Sequence, residues 1–298
     1  MLAVRNGVVA THSAAQSDQL HCGAPAAIDT GQMRSRLIGR ALSAIVCQRL
    51  RIDALQRRQM VVTGFLMSDI PMIDTPSPNF DDRKLPISML VLHYTGMPDA
   101  QSAIHWLASP ESKVSAHYVV TEEGEIVRMV DEAKRAWHAG RSHWRGIDDV
   151  NSASIGIEIV NPGHEWGYRG FPDAQIGSLI PLMHEIVQRH GITRGNIVGH
   201  SDVAPARKQD PGELFPWGQL SRLRLALPRP TKNLMDPLWS DSAFMLALER
   251  FGYDIAEPQA AVVAFQRRFR PELIDGVIDG ECRAILLALL LPKPRGDD

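Results

Sequence analysis

The sequence predicts an α/β domain, with a mixed central sheet flanked by helices, followed by a small all-α module of three helices. Short, nearly continuous apolar runs alternate with segments whose apolar residues recur every three to four positions, which indicates strands alternating with helices. The second part rests on three successive helical patterns near the C-terminus, separated by tight-turn signals. The chain has 298 residues, 44% apolar and 22% charged, with a net charge of −2. That composition and length suit two buried cores and exclude a wholly disordered or collagen-like chain. Near-neutral charge leaves no basic footprint for nucleic acid. The longest apolar run, Ala284 to Leu291, is far short of the roughly 18 to 20 residues of a transmembrane helix.

Residues 1–68 differ from the rest. They hold eight arginines, no lysine and only Asp18, Asp29 and Asp53, a net +5 against −7 for the remainder. Leu37, Ile38, Ala41, Leu42, Ile45 and Val46 recur at helical spacing beside Arg40, Arg49 and Arg51, so a basic amphipathic helix can form there. The plainer expectation is a weakly ordered extension, with Met60 or Met67 as the working start. The first residues lack the apolar core of a secretory signal, which predicts a cytoplasmic protein, with periplasm or outer membrane as the alternative. Cys22, Cys47 and Cys282 are scattered and odd in number, giving neither a disulfide framework nor a cysteine metal site.

The predicted catalytic domain spans 69–226. Pro71 to Pro86 reads as an extended lead-in, and Ile87 to His93 as a strand covered on both faces. Asp99 caps a helix carrying Ile104 and Leu107. Ala116 to Val120 and Glu125 to Val130 form a hairpin around Glu122-Glu123-Gly124. Ser154 to Val160 alternates, with Ile155, Ile157 and Ile159 on one face and Gly156, Glu158 and Val160 on the other. A helix from Asp173 to His190 stops at Gly191 and is expected to kink at Pro181. Ile197 and Val198 form a short strand ending at Gly199-His200. Residues 227–236 read as a linker, and 237–298 as the helical module, with helices around Phe244 to Phe251, after Pro258, and around Cys282 to Leu289.

Nine of the eleven histidines fall between positions 93 and 200. Two of them at strand ends, His93 and His200, together with the loop carboxylate Asp210, can converge on one metal ion. Two imidazoles and a carboxylate leave the open coordination of a catalytic zinc. Spacing alone is weak support, because the histidines are 107 residues apart and no local metal motif is present.

The strings LVLHYTGMP (90–98), WHAG (137–140), SIGIEIVNPG (154–163) and VGHSDVAPARKQDPG (198–212) strongly resemble the zinc-dependent N-acetylmuramoyl-L-alanine amidases of the AmpD/AmiD type, whose fold also occurs in peptidoglycan recognition proteins. The resemblance spans roughly residues 85–218. It implies one zinc ion held by His93, His200 and Asp210, with Glu158 as the catalytic carboxylate and Lys208 beside the reacting carbonyl. Amide hydrolysis at neutral pH needs an activated water, an oxyanion stabiliser and a proton for the departing nitrogen, and these groups supply them. A buried ion pair for Glu158 and a solvated loop position for Lys208 are the alternatives. His138 of WHAG is implied at the substrate groove, or in a structural hydrogen bond. Asn161 would bind the substrate peptide, or close the turn before Pro162. Trp137, Trp144 and Trp166 are candidate groove walls, whereas His105, His117, His143, His164, His184 and His190 read as structural or surface residues.

The last 60 residues, notably AVVAFQRRF (261–269) and IDGVIDGECRAILLALL (274–290), resemble the three-helix peptidoglycan-binding domain. The implied partner is peptidoglycan or a muropeptide, and the implied reaction is cleavage between N-acetylmuramic acid and L-alanine by a monomer. Recognition of muropeptides without hydrolysis is the competing expectation.

Overall fold

The structure, a computed structural model, describes residues 70–232 and 234–291. The basic extension at 1–68, with its amphipathic segment and internal methionines, lies outside the described residues.

Two three-residue strands, β1 (Met72–Asp74) and β2 (Phe80–Asp82), occupy the expected lead-in. The apolar run becomes β3 (Met89–Tyr94), buried up to Tyr94. The Asp99 carboxylate then accepts the Ser102 N–H at 2.7 Å and caps α1 (Ala100–Ala108). β4 (Tyr118–Val120) and β5 (Ile126–Arg128) form the antiparallel hairpin, and β6 (Lys134–Ala136) pairs antiparallel with β2. A short α2 (Val150–Ala153) feeds β7 (Ser154–Ile159), followed by α3 (Gly163–Trp166). Next, α4 (Asp173–His190) continues through Pro181 and ends at Gly191 in the left-handed region. β8 (Ile197–Gly199) passes directly into α5 (His200–Val203), and α6 (Trp217–Arg222) closes this part. The three C-terminal patterns become α7 (Asp241–Phe251), α8 (Pro258–Phe269) and α9 (Gly280–Leu290).

The main sheet has the order β1-β5-β4-β7-β3-β8 and is parallel except between β4 and β5. Its two faces are chemically unlike because side chains alternate along each strand. Leu90, Leu92, Ile155, Ile157 and Ile159 pack with Ile176, Leu179, Met183 and Ile186 of α4. The opposite face carries Met89, Val91, His93, Gly156 and Glu158, and only its lower part is apolar. There Met89 and Val91 join Trp144, Phe244, Phe265 and Ile285 in one buried cluster, so the C-terminal helices share a core with the sheet. Leu227 and Leu234, in the segment read as a linker, pack against the same cluster. Among the described residues, no helix is long and apolar enough to cross a membrane.

Candidate metal centre and active-site cleft

The C-terminal ends of β3, β7 and β8 lie side by side, the place where open α/β sheets bind ligands. His93 sits next to last on β3, Glu158 next to last on β7, and His200 immediately after β8. His93 and Glu158 are register partners on neighbouring strands, so their side chains stand on the same face. Asp210 comes from the following loop, which the Ser201 N–H fastens by donating to the Asp210 carbonyl at 2.9 Å. Gly212 shapes that loop: its φ is +86°, and a Cβ there would meet the Tyr168 hydroxyl at 2.2 Å.

His93 Nδ1, His200 Nδ1 and Asp210 Oδ2 are 2.9, 3.1 and 3.0 Å apart, and all three residues are buried. The surrounding hydrogen bonds fix where the protons are. The Ser154 hydroxyl donates to the Val150 carbonyl, so its oxygen accepts from His138 Nε2–H. His138 Nδ1 is then an acceptor and takes the proton of His93 Nε2–H at 3.0 Å. His200 Nε2 faces the Ala139 carbonyl at 3.0 Å and must donate to it. Burial, followed by the influence of His200, pushes His93 down to about 4, so it is neutral near pH 7. His93 Nδ1 is therefore a lone pair, and it converges with His200 Nδ1 on the Asp210 carboxylate oxygen. Three such buried groups at these distances fit one metal ion. Donors bound 2.0–2.1 Å from a tetrahedral ion sit roughly 3.3 Å apart, close to the spacing found. Burial alone would raise Asp210, but His200 and His93 together hold its carboxyl well below the usual range.

Beside this trio opens a cleft of about 520 Å³, lined by Tyr94, Trp106, Trp137, Glu158, Arg207 and Lys208 among others. Two of its polar atoms are buried and have no hydrogen-bond partner among the described residues: Glu158 Oε2 and Trp137 Nε1. Burial, reinforced by Asp210 and opposed by Lys208, pushes the Glu158 carboxyl well above the ordinary value.

The family described as N-acetylmuramoyl-L-alanine amidase matches residues 83–213, the stretch that contains all five of these groups. The amidase AmiD of Escherichia coli is 40% identical over 184 residues, which are 55% of this chain and 67% of AmiD. The chain belongs to the N-acetylmuramoyl-L-alanine amidase family. The 1,6-anhydro-N-acetylmuramyl-L-alanine amidase AmpD of Haemophilus influenzae is 36% identical over 172 residues, 51% of this chain and 90% of AmpD. A solved structure of AmiD from E. coli in complex with anhydro-N-acetylmuramic acid-L-Ala-D-gamma-Glu-L-Lys superposes with a TM-score of 0.62 at 36% identity. It covers 68% of this chain and 88% of that one.

The amidase places the remaining candidates differently from one another. His138 lines the cleft, but both of its ring nitrogens are engaged within the protein, so it orients His93 and has no free nitrogen for substrate. Asn161 makes the bonds of the turn-closing alternative. It is 1% exposed, its amide donates to the Arg169 carbonyl, and its oxygen accepts the Gly163 N–H, which closes the turn around Pro162. Of the tryptophans only Trp137 lines the cleft as expected. Trp144 is core, edge-on to Phe251 and Tyr253, and Trp166 is exposed away from the lining. Trp106, Tyr94 and Arg207 line it without having been singled out from sequence. Arg207 donates to the Ala139 carbonyl, the same oxygen that holds His200. His117 lies beneath His138, accepting the Gly156 N–H on Nδ1. Burial and the adjacent Arg83 push it down to about 3.

Gly156 is required by close approach: a Cβ there would lie 2.4 Å from Cγ of His138. Gly156→Ala is expected to displace the His138 ring and cost roughly 1–3 kcal/mol of stability through overpacking. Thermal or urea unfolding of the metal-free protein measures this, and an unchanged midpoint would show that the ring has room to shift.

Proposed function

We propose that this amidase hydrolyses the bond between the lactyl group of N-acetylmuramic acid and L-alanine in muropeptides, with zinc held by His93, His200 and Asp210. The single observation that carries the metal reading is the buried convergence of His93 Nδ1, His200 Nδ1 and Asp210 Oδ2. When bound, zinc supplies Lewis acidity that activates water and polarises the scissile carbonyl.

The chain's own residues do the rest. Glu158 takes a proton onto its unpartnered Oε2 and returns it to the departing amide nitrogen. A carboxyl raised by burial is a stronger base than one in water, and closer to neutrality in proton affinity. Lys208 brings a positive charge to the same cleft and stabilises the negative charge that develops on the carbonyl oxygen. Trp137 offers its free indole N–H to a carbonyl of the substrate, while its ring forms an apolar wall for the sugar or the stem peptide. His138 and Ser154 keep the His93 proton on Nε2, away from the metal side.

The substrate class follows from the AmiD complex, whose bound molecule is an anhydromuropeptide. Incubating the zinc-loaded protein with that muropeptide and analysing products by mass spectrometry tests the reading. The expected products are the anhydro-sugar and a peptide with a free L-alanine amine; intact substrate after prolonged incubation would refute it. Lys208→Met is expected to lower kcat by roughly 10²–10³ with KM little changed, the size of effect seen when one oxyanion-stabilising donor is removed. A change in KM alone would instead place Lys208 in ground-state binding.

The C-terminal helices are proposed to hold glycan near the cleft, raising its effective concentration without entering the chemistry. Their resemblance to a peptidoglycan-binding domain supports this, and co-sedimentation with insoluble peptidoglycan tests it.

A further inference from the structure

We propose that the consecutive arginines of α8, Arg267 and Arg268, clamp the loop that carries two of the three metal-binding residues, so that the C-terminal helices set the affinity of the metal centre. This rests on the reading of His93, His200 and Asp210 as metal ligands.

The two guanidinium groups leave the helical module and enter the catalytic part, and both residues are buried. Cζ of Arg268 lies 3.3 Å from the centre of the Trp217 ring, and its Nε is 3.6 Å from Oδ2 of Asp202. Asp202 is 1% exposed and stands two residues after His200. Its Oδ2 accepts the Gly199 N–H at 2.8 Å, at the start of α5 where His200 begins the helix, and its Oδ1 accepts the Tyr253 hydroxyl at 2.6 Å. Tyr253 follows α7, so two separate points of the C-terminal module hold one carboxylate beside His200.

Arg267 reaches the other end of the loop. Its Nε, buried and without a hydrogen bond among the described residues, is in ion-pair range of Oε2 of Glu213 at 3.5 Å, three residues after Asp210. Glu213 also bonds His164 Nε2, and His164 Nδ1 bonds the hydroxyl of Tyr94, the neighbour of His93 on β3. Each of the three ligands thus has a near neighbour in sequence tied, directly or through one imidazole, to this arginine pair. Burying two guanidinium groups costs desolvation that an apolar helix face would avoid. Fixing the loop gives that burial a function, because groups that orient metal ligands typically change metal affinity 10- to 100-fold.

The test is the zinc dissociation constant of the full chain, measured by competition with a chromogenic chelator, alongside unfolding of the zinc-free protein. Tyr253→Phe removes one hydroxyl and keeps the ring, and Arg268→Lys keeps the charge but loses the planar stack on Trp217. Each is expected to weaken zinc binding 10- to 100-fold. The double variant should be less than multiplicative, because both act through Asp202. Arg283→Ala breaks the pair between Arg283 of α9 and Asp236 of the preceding linker segment, and should leave zinc affinity within twofold while lowering stability. Zinc affinity within twofold of the parent for both Tyr253→Phe and Arg268→Lys would overturn the clamp, as would an equal loss in Arg283→Ala. A parent chain that takes up no zinc would overturn the metal reading itself, and the clamp with it.

Discussion

Glu158→Gln is expected to lower kcat by roughly two to four orders of magnitude, the usual contribution of a positioned acid–base group, while zinc stoichiometry stays at that of the parent. Glutamine has nearly the same shape but cannot take up or return a proton. The substitution therefore separates chemistry from architecture at a site where the two are close neighbours. Glu158 stands beside His93 across the β3–β7 pairing, yet it makes no hydrogen bond to His93, and its Oε2 has no partner among the described residues. A buried carboxylate in a structural ion pair would show a partner, and none is present among the described residues. Steady-state kinetics on a muropeptide, with metal content measured on the same sample, decides the matter. Retained kcat would assign the proton transfer to another group, whereas parallel loss of zinc and activity would make Glu158 a support for the metal centre.

How far the sequence anticipates this arrangement depends on what kind of signal each element leaves. β3 and β7 were legible because one is almost wholly apolar and the other alternates strictly, and the alternation alone put Glu158 opposite the isoleucine layer. The helix at Asp173–His190 and the three C-terminal helices were legible from their apolar periodicity and stop signals. β1, β2 and β6 were not, since three residues carry no period and exist as strands only through pairing, as Met72 does with Ile126. His93 and His200 are placed at strand ends and Asp210 in a loop by pattern alone, but the 107 residues between the histidines conceal their convergence from any spacing rule. His138 and Asn161 show the limit at the level of single side chains. Both sit in recognisable strings, and the direction in which each spends its hydrogen bonds depends on partners, Ser154 and Arg169, that no spacing rule connects to them. Arg267 and Arg268 leave no signal of their own in the sequence, because their partners Glu213, Asp202 and Trp217 lie inside the protein and far off in the chain.

Removing zinc is expected to abolish activity and also to lower the unfolding temperature, and the second effect follows from the same convergence. With no cation, the His93 Nδ1 lone pair and Asp210 Oδ2 face each other as buried acceptors 3.1 Å apart, an arrangement that costs free energy in the folded state alone. A ligand that binds only the folded chain stabilises it by about 4.1 kcal/mol when present at 1,000 times its dissociation constant. For a folded unit of this size that corresponds to about 8–16 °C in Tm. Scanning the parent with zinc and with excess chelator measures the difference. His200→Ala should abolish it, because two remaining donors no longer define the site. The pair of measurements also separates binding from catalysis: Glu158→Gln should keep the full zinc-dependent rise in Tm although it turns over almost no substrate, and His200→Ala should lose both. Equal Tm values with and without zinc in the parent would mean that the three donors hold no ion.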